Sequence, residues 1–231
     1  APHREAPAGA PPHARPPAPG PLPPPAHTAQ PRDPSTALTP SARLFDCPIV
    51  GGDLASTPPG TPIHLSVTVA GTPHPTRGPV LRSTAQPGDA VWVTGAIGNS
   101  FASGRHLTFQ PRIREAQWLA DTLGSDLHAM IDLSDGLGRD AARIALASNT
   151  RLIINHIPLN PDSNTRSPLQ AAADGEDYEL LFTTPPHIQL PPTVLNTPLT
   201  RIGTVVEGTG CIIIDPQGIE HDATHLGWDH Q

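Results

Sequence analysis

The chain has 231 residues, of which 15% are charged and 3% aromatic, and its formal net charge is −7. That length suits one large domain or two small ones, and the mild acidity argues against a nucleic-acid surface, which needs Lys and Arg to neutralise phosphates. No apolar run reaches the roughly 20 residues of a membrane helix, and no secretory h-region opens the chain. A cytoplasmic protein with neither membrane nor nucleic acid as partner is expected. Cys47 and Cys211 have no metal or redox spacing and read as buried thiols in a reducing compartment.

Taken in chain order, residues 1–40 hold 14 of the 32 prolines and almost no large apolar side chains. They cannot bury enough surface to offset ordering entropy and should be disordered or extended. They are either a passive tail or, through "RPPAPGPLPPP", a polyproline ligand. Order is expected from about Ser41: the end of a helix, a short strand at 47–50, and a Gly-Gly-Asp turn. "PIHLSVTVAG" alternates at Ile63, Leu65, Val67 and Val69, a strand period. A Pro-Gly-Asp turn, a strand at Ala90–Thr94 and a Gly-rich loop follow. "QPRIREAQWLADTLGSD" is helical, with Pro111 near its start, Gly124 past its end, and Ile113, Ala116, Trp118, Leu119 and Leu123 as apolar positions.

The next unit is a strand at 128–133 and a helix over 136–148. "RLIINHI" is a strand, "PLQAAADG" a short helix and "DYELLFTT" a strand. "LTRIGTVVEG" and "CIIIDPQG" read as a closing pair of strands. Strands and helices mix along the ordered part, an α+β (mixed α/β) pattern.

The chemistry concentrates in "AMIDLSDGLGRD", where Asp132, Asp135 and Asp140 fall within nine residues at a strand-to-helix turn. A helix N-terminus favours one carboxylate as a cap. Crowded carboxylates need a counter-charge, and hard oxygen donors at this density suit Mg²⁺. Ser134 would sit where free backbone N–H groups accept a phosphate. A calcium loop fits poorly, because alternating oxygen donors and a closing Glu are lacking. Asp53, after two glycines that permit close backbone approach, is a second acidic turn. "DGEDYELLF" places Asp174, Glu176, Asp177 and Glu179 before an apolar run, more acids than a solvated strand edge explains. Arg82 is either a surface arginine or a contact for an anion. No Gly-x-x-x-x-Gly-Lys loop, G-x-S-x-G or His-Glu-x-x-His occurs.

In order, "CPIVGGDLAST", "LRSTAQPGDAVWVTGAIGNS", "PRIREAQWLA", "MIDLSDGLGRDAARIALAS", "ADGEDYELLFTT" and "GWDH" resemble the thiamine-monophosphate kinase family over about residues 41–231. The wider superfamily shares the aminoimidazole ribonucleotide synthetase-like fold, and "GEDYEL" points to the thiamine branch. The resemblance implies ATP-dependent phosphorylation of thiamine monophosphate to thiamine diphosphate by direct transfer with Mg²⁺, in a homodimer. It implies Asp53, Asp132 and Asp135 as Mg²⁺ ligands and Arg82 and Ser134 as ATP contacts. Glu176 and Trp228 would be substrate contacts, the latter with its ring against a thiazolium cation. Without the resemblance Trp228 reads as a packing residue.

The family's "GDDAA"-like stretch and further N-terminal Asp residues are not found before "GGD". The expected division is therefore a Pro-rich segment at 1–40, a remnant of the N-terminal ATP/Mg-binding domain at 41–75 and a C-terminal kinase domain at 76–231. Three readings stay open: a piece of an active kinase, a remnant that at most binds nucleotide, or a scaffold module with a proline-rich tail.

Overall fold

The computed structural model describes residues 34–53, 65–161 and 167–229, and the chain divides into two compact units, 1–64 and 65–231. In the first, α1 (Pro34–Leu44) carries Pro40 inside it. The helix thus begins within the segment expected to be disordered; the rest of that expectation, on residues 1–33, lies outside the described residues. The strand expected at 47–50 is absent. Residues 47–53 are irregular and exposed, Cys47 and Asp53 included, so only Cys211 is a buried thiol.

The second unit is built on one sheet: β1 (Ala90–Thr94), β2 (Met130–Asp132), β3 (Arg151–Ile154), β4 (Leu180–Thr184), β5 (Thr193–Val194), β6 (Thr197–Val206), β7 (Gly210–Ile214) and β8 (Glu220–Asp222). The strand order is β2-β4-β1-β6-β3-β7-β8, with β5 paired to β6. β3 and β7 run parallel and the other pairs are antiparallel. The two last long strands are therefore not a pair, because β3 lies between them. Among the helices are α2 (Ser100–Ser103), α3 (Ile113–Leu123), α4 (Leu137–Ser148) and α5 (Pro168–Ala173).

β1 shows why helices cover both faces. Successive strand side chains point to opposite sides, and all five β1 residues are buried. Val91 and Val93 join a core with Leu137, Ala141, Ile144 and Ala145 of α4, Ala171 and Ala172 of α5, and Leu181 and Ile213. Ala90 and Trp92 join the opposite core, with Leu119, Ala120 and Leu123 of α3, Phe182 and Leu199. The α4 residues recur at the 3.6 period of an amphipathic helix. Ile113, expected among the apolar positions of α3, is 45% exposed, and the buried face of the helix takes Ala120 instead. α5 opens on a capping box, Ser167 with Gln170, and has Pro168 in its first turn.

The strand expected over 63–70 does not form where it is described. Leu65, Val67 and Val69 are 58%, 62% and 72% exposed, and residues 65–70 are irregular. Alternation produces a strand only where a neighbouring backbone takes the N–H and C=O groups, and no described residue does so here. Ile63 lies outside the described residues. Among those described, no helix is long and apolar enough to cross a membrane.

Candidate nucleotide and metal site

β2 delivers Asp132, exposed, to the rim of the sheet. The buried Leu133 anchors the turn that follows, and α4 begins at Leu137. The third carboxylate of the sequence motif turns out to be a brace. Asp140 is fully buried, and its Oδ2 accepts the backbone N–H groups of Ser134 and Asp135, both at 3.0 Å. Its Oδ1 accepts from Arg143 at 2.5 Å, and the other guanidinium nitrogen of Arg143 donates to Asp135. Burial pushes the Asp140 carboxyl above its ordinary range, against the pull of that N–H from Asp135 and of Arg143. Arg143 supplies counter-charge to Asp135 and Asp140, and one expectation changes: the backbone N–H groups of Ser134 and Asp135 are occupied by Asp140.

Arg82, Asp132, Ser134 and Arg143 line a cleft of about 450 Å³, with Met130, Ile131 and Leu180 as its apolar wall. Arg82 arrives from far away in the chain because Leu81 bridges Ala129 in parallel and accepts the Met130 N–H at 3.2 Å. The Arg82 carbonyl is in turn held by the Ser148 hydroxyl at the end of α4, at 2.9 Å. Three predicted residues, Arg82, Asp132 and Ser134, thus share one cleft, and Asp135 is tied to it through Arg143. Arg143 was missed. Its signal was the spacing: three residues after Asp140 on a helix, the position from which a cation reaches back. Asp53 lies in the first unit, exposed, in an irregular stretch.

The second acidic motif is sewn to the first through the backbone. Glu176 N–H donates to the Ser134 carbonyl at 2.7 Å, Tyr178 N–H to Leu133 at 2.8 Å, and Leu133 N–H to Glu179 at 2.8 Å. Two of its four acids fasten the Gly-rich loop and a third takes Arg112, so most of that acidity is structural. Asp174 accepts from Asn99 N–H at 2.8 Å. Asp177 accepts from Gly98 N–H at 3.0 Å and from Arg105 at 2.5 Å. Glu179 takes Arg112 through two bonds of 2.6 Å and the Thr94 hydroxyl at 2.6 Å. Glu176 differs. It sits in the left-handed region, at φ 63°, and its Oε2 is buried without a hydrogen-bond partner. Tyr178, also left-handed at φ 52°, stacks on Phe109 with ring centroids 4.1 Å apart. Burial and then the carboxylates of Glu176, Asp132 and Asp135 push its hydroxyl pKa up.

Burial pushes the Asp177 carboxyl from 3.8 up to about 7, against the pull of Arg105. A carboxyl raised in the folded state binds its proton more tightly there than in the unfolded chain. Its stabilising contribution is whole below about pH 4 and is lost as pH rises through about 7. Urea unfolding of the wild type is expected to show a downward slope of up to about 1.4 kcal/mol per pH unit from this group between those limits. Asp177→Asn should remove that slope; an unchanged pH profile would assign it elsewhere.

Trp228 meets the site through its backbone, its N–H donating to the Asp135 carbonyl at 2.8 Å, while its residue is 63% exposed. It is not a packing residue. Gly227, at φ 145°, permits this crossing: a Cβ there would lie 2.3 Å from the Asp135 carbonyl oxygen. Gly227→Ala is expected to cost about 1–3 kcal/mol through backbone strain and to displace the acidic turn. Chemical denaturation would read the first effect and nucleotide-analogue titration the second. Equal stability would mean the C-terminal crossing moves aside freely.

Among the described residues no group of three or more His, Cys, Asp or Glu side chains converges to hold a metal. The donor set does fit Mg²⁺ in a smaller role. This ion is commonly held by one or two carboxylates, with phosphate oxygens and water completing the shell. Asp132 is exposed at the cleft, and Asp135 lies beside it under Arg143.

A mixed sheet covered by helices on both faces, with an acidic strand-to-helix turn opening on a cleft that holds two arginines, belongs to the aminoimidazole ribonucleotide synthetase-like fold. No family model matches the chain. A thiamine-monophosphate kinase of Rhodopirellula baltica is 39% identical over 206 residues, covering 80% of this chain and 63% of that protein. One from Escherichia coli is 33% identical over 232 residues, covering 85% of this chain and 67% of that protein. The crystal structure of thiamine-monophosphate kinase from Stenotrophomonas maltophilia aligns with a TM-score of 0.51 at 26% identity, over 59% of this chain and 53% of that one. The chain belongs to the thiamine-monophosphate kinase family, and it spans 63% of the length of the first of these relatives and about half of the solved structure.

Proposed function

We propose that the chain carries the nucleotide-facing part of a kinase that uses ATP to phosphorylate thiamine monophosphate to thiamine diphosphate, by direct transfer in a cytoplasmic homodimer. The observation that carries this reading is the cleft in which Arg82, Asp132 and Ser134, three predicted residues from distant parts of the chain, stand together. Both reactants are anions, so the site has to attract phosphate charge, align the groups and stabilise the transferring phosphoryl. The guanidinium groups of Arg82 and Arg143 supply fixed positive charge at the cleft. Ser134 supplies a hydroxyl donor, and the apolar wall of Met130, Ile131 and Leu180 offers a face for a flat base. Asp132 and Asp135 would hold Mg²⁺, with Asp53 as a further ligand; bound there, the ion neutralises phosphate charge as the transfer proceeds. Glu176 and the exposed ring of Trp228 would meet the cationic substrate.

In domain terms, residues 41–75 correspond on this reading to part of the N-terminal ATP/Mg-binding domain and 76–231 to the C-terminal kinase domain. A second reading, nucleotide binding without turnover, is favoured by one observation: Asp135 is already paired with Arg143. Calorimetric titration of the chain with a non-hydrolysable ATP analogue, with and without Mg²⁺, followed by a coupled assay with thiamine monophosphate, tests both. Mg²⁺-dependent binding with turnover supports the kinase. Binding without turnover supports the second reading, and no binding by the folded chain overturns both.

A further inference from the structure

The turn that carries Arg82 is closed by a side chain from another element. The Arg82 carbonyl and the Ala85 N–H are the two groups that an ordinary β-turn joins directly. Here the Ser148 hydroxyl stands between them. It donates to the Arg82 carbonyl at 2.9 Å and accepts the Ala85 N–H at 3.1 Å. Its hydrogen and one of its lone pairs are both spent on this one turn. The flanks of the turn are held as well. Ala85 is buried in the core that α4 covers, the Leu81 carbonyl accepts the Met130 N–H at 3.2 Å, and the Thr84 hydroxyl donates to the His128 carbonyl at 2.5 Å. The Arg82 side chain is left for a ligand: among the described residues its guanidinium has no hydrogen bond or ion pair, and it lines the cleft.

We infer that Ser148 is a positioning residue for a polyphosphate ligand, acting through Arg82. Ser148 is the last residue of α4, and Arg143, the other guanidinium of the cleft, stands on the same helix. One rigid element therefore carries one arginine of the cleft and holds the backbone of the other. That fixes the two cations relative to each other before a ligand arrives, so less freedom is lost when both meet one polyanion. Without the hydroxyl, the Arg82 carbonyl and the Ala85 N–H are left to pair with each other or with water. A direct pair draws them from opposite sides of the Ser148 oxygen to about 2.9 Å apart; water leaves the turn open. Either change re-aims the Arg82 side chain. The inference rests on the kinase reading in one respect: it takes the anion met by Arg82 to be the phosphate chain of the nucleotide.

The full chain is titrated by calorimetry with a non-hydrolysable ATP analogue and with tripolyphosphate. The wild type is compared with Ser148→Ala, Ser148→Thr, Arg82→Met and the double variant Ser148→Ala/Arg82→Met. Ser148→Ala is expected to weaken both ligands by about five- to tenfold. Ser148→Thr keeps the hydroxyl and should bind within about twofold of the wild type. In the Arg82→Met background, Ser148→Ala should change binding by less than about twofold, because the side chain through which the hydroxyl acts is gone. A hydroxyl that merely held the helix end would weaken binding by the same factor in both backgrounds. Ser148 is only partly buried, so its loss should leave both cores intact, and urea unfolding of each variant checks this. Equal affinity of Ser148→Ala and the wild type, or an equal loss with and without Arg82, overturns the inference. The two ligands keep that failure apart from failure of the kinase reading. If tripolyphosphate shows the coupling and the ATP analogue does not bind, the positioning role stands and the nucleotide reading fails. If ATP-analogue binding falls in Arg82→Met but not in Ser148→Ala, the nucleotide reading stands and the positioning role fails.

Discussion

Asp132→Asn is expected to remove most of the Mg²⁺-dependent component of ATP-analogue binding, at least about tenfold in affinity, and to lower turnover in a kinase-competent assembly by roughly 10²–10³-fold. The residue is exposed at the mouth of the cleft and, unlike Asp135 and Asp140, is not paired with Arg143. Its charge is therefore the one most directly available to a cation that arrives with the nucleotide. Because it is exposed, its loss should change folding stability by no more than about 0.5 kcal/mol, which separates a failed site from a failed fold. Calorimetry with and without Mg²⁺ reads the first effect and urea unfolding the second. Undiminished Mg²⁺-dependent binding would take Asp132 out of the metal site.

Arg112→Met is expected to have the largest effect on stability, about 3–5 kcal/mol, because it leaves a buried charge without its main partner. The Glu179 carboxylate is buried, and two of the bonds it accepts come from Arg112. Thr94 remains, but a single hydroxyl does not replace a guanidinium. The loss should extend beyond the pair. Glu179 immediately precedes β4 and its carbonyl holds Leu133, so the acidic turn should loosen as the pair breaks. A urea midpoint shifted by less than 1 kcal/mol equivalent would show that water or Arg105, 3.8 Å away, takes over. Glu179→Gln in the Arg112→Met background should recover part of the loss, since it removes the stranded charge.

Elements with strong local periodicity were legible in the sequence. The helices at α3 and α4 were legible because their apolar residues recur at helical spacing, and β1 because a turn and a Gly-rich loop bracket it. The segment at 65–70 misled because alternation reports a burial tendency, whereas a strand also needs a partner supplied by distant chain. The strand order was hidden for the same reason: nothing local says that β3 will insert between β6 and β7. The site showed a similar division. The grouping of Arg82, Asp132 and Ser134 was anticipated through motif resemblance, and each residue ended in the cleft. The division of labour among the acids was not. Asp132 and Asp140 look alike in sequence, yet one faces the cleft and the other is spent on two backbone N–H groups and an arginine. Glu176 and Glu179 likewise look alike in sequence, yet Glu179 is buried on Arg112 while the Glu176 Oε2 has no hydrogen-bond partner.

The acidic turn is laid down at residues 132–140 but fastened at 227–228, almost ninety positions later in the chain. A polypeptide emerging residue by residue from a ribosome carries its acidic motif long before it carries the strap that helps hold the motif in place. The Asp135 carbonyl waits for the Trp228 N–H, and until that residue has been added the turn lacks one of its fixed points. Completion of this site therefore waits on residue 228, and a chain cut before it would keep its core and sheet while leaving the Asp135 carbonyl without that donor.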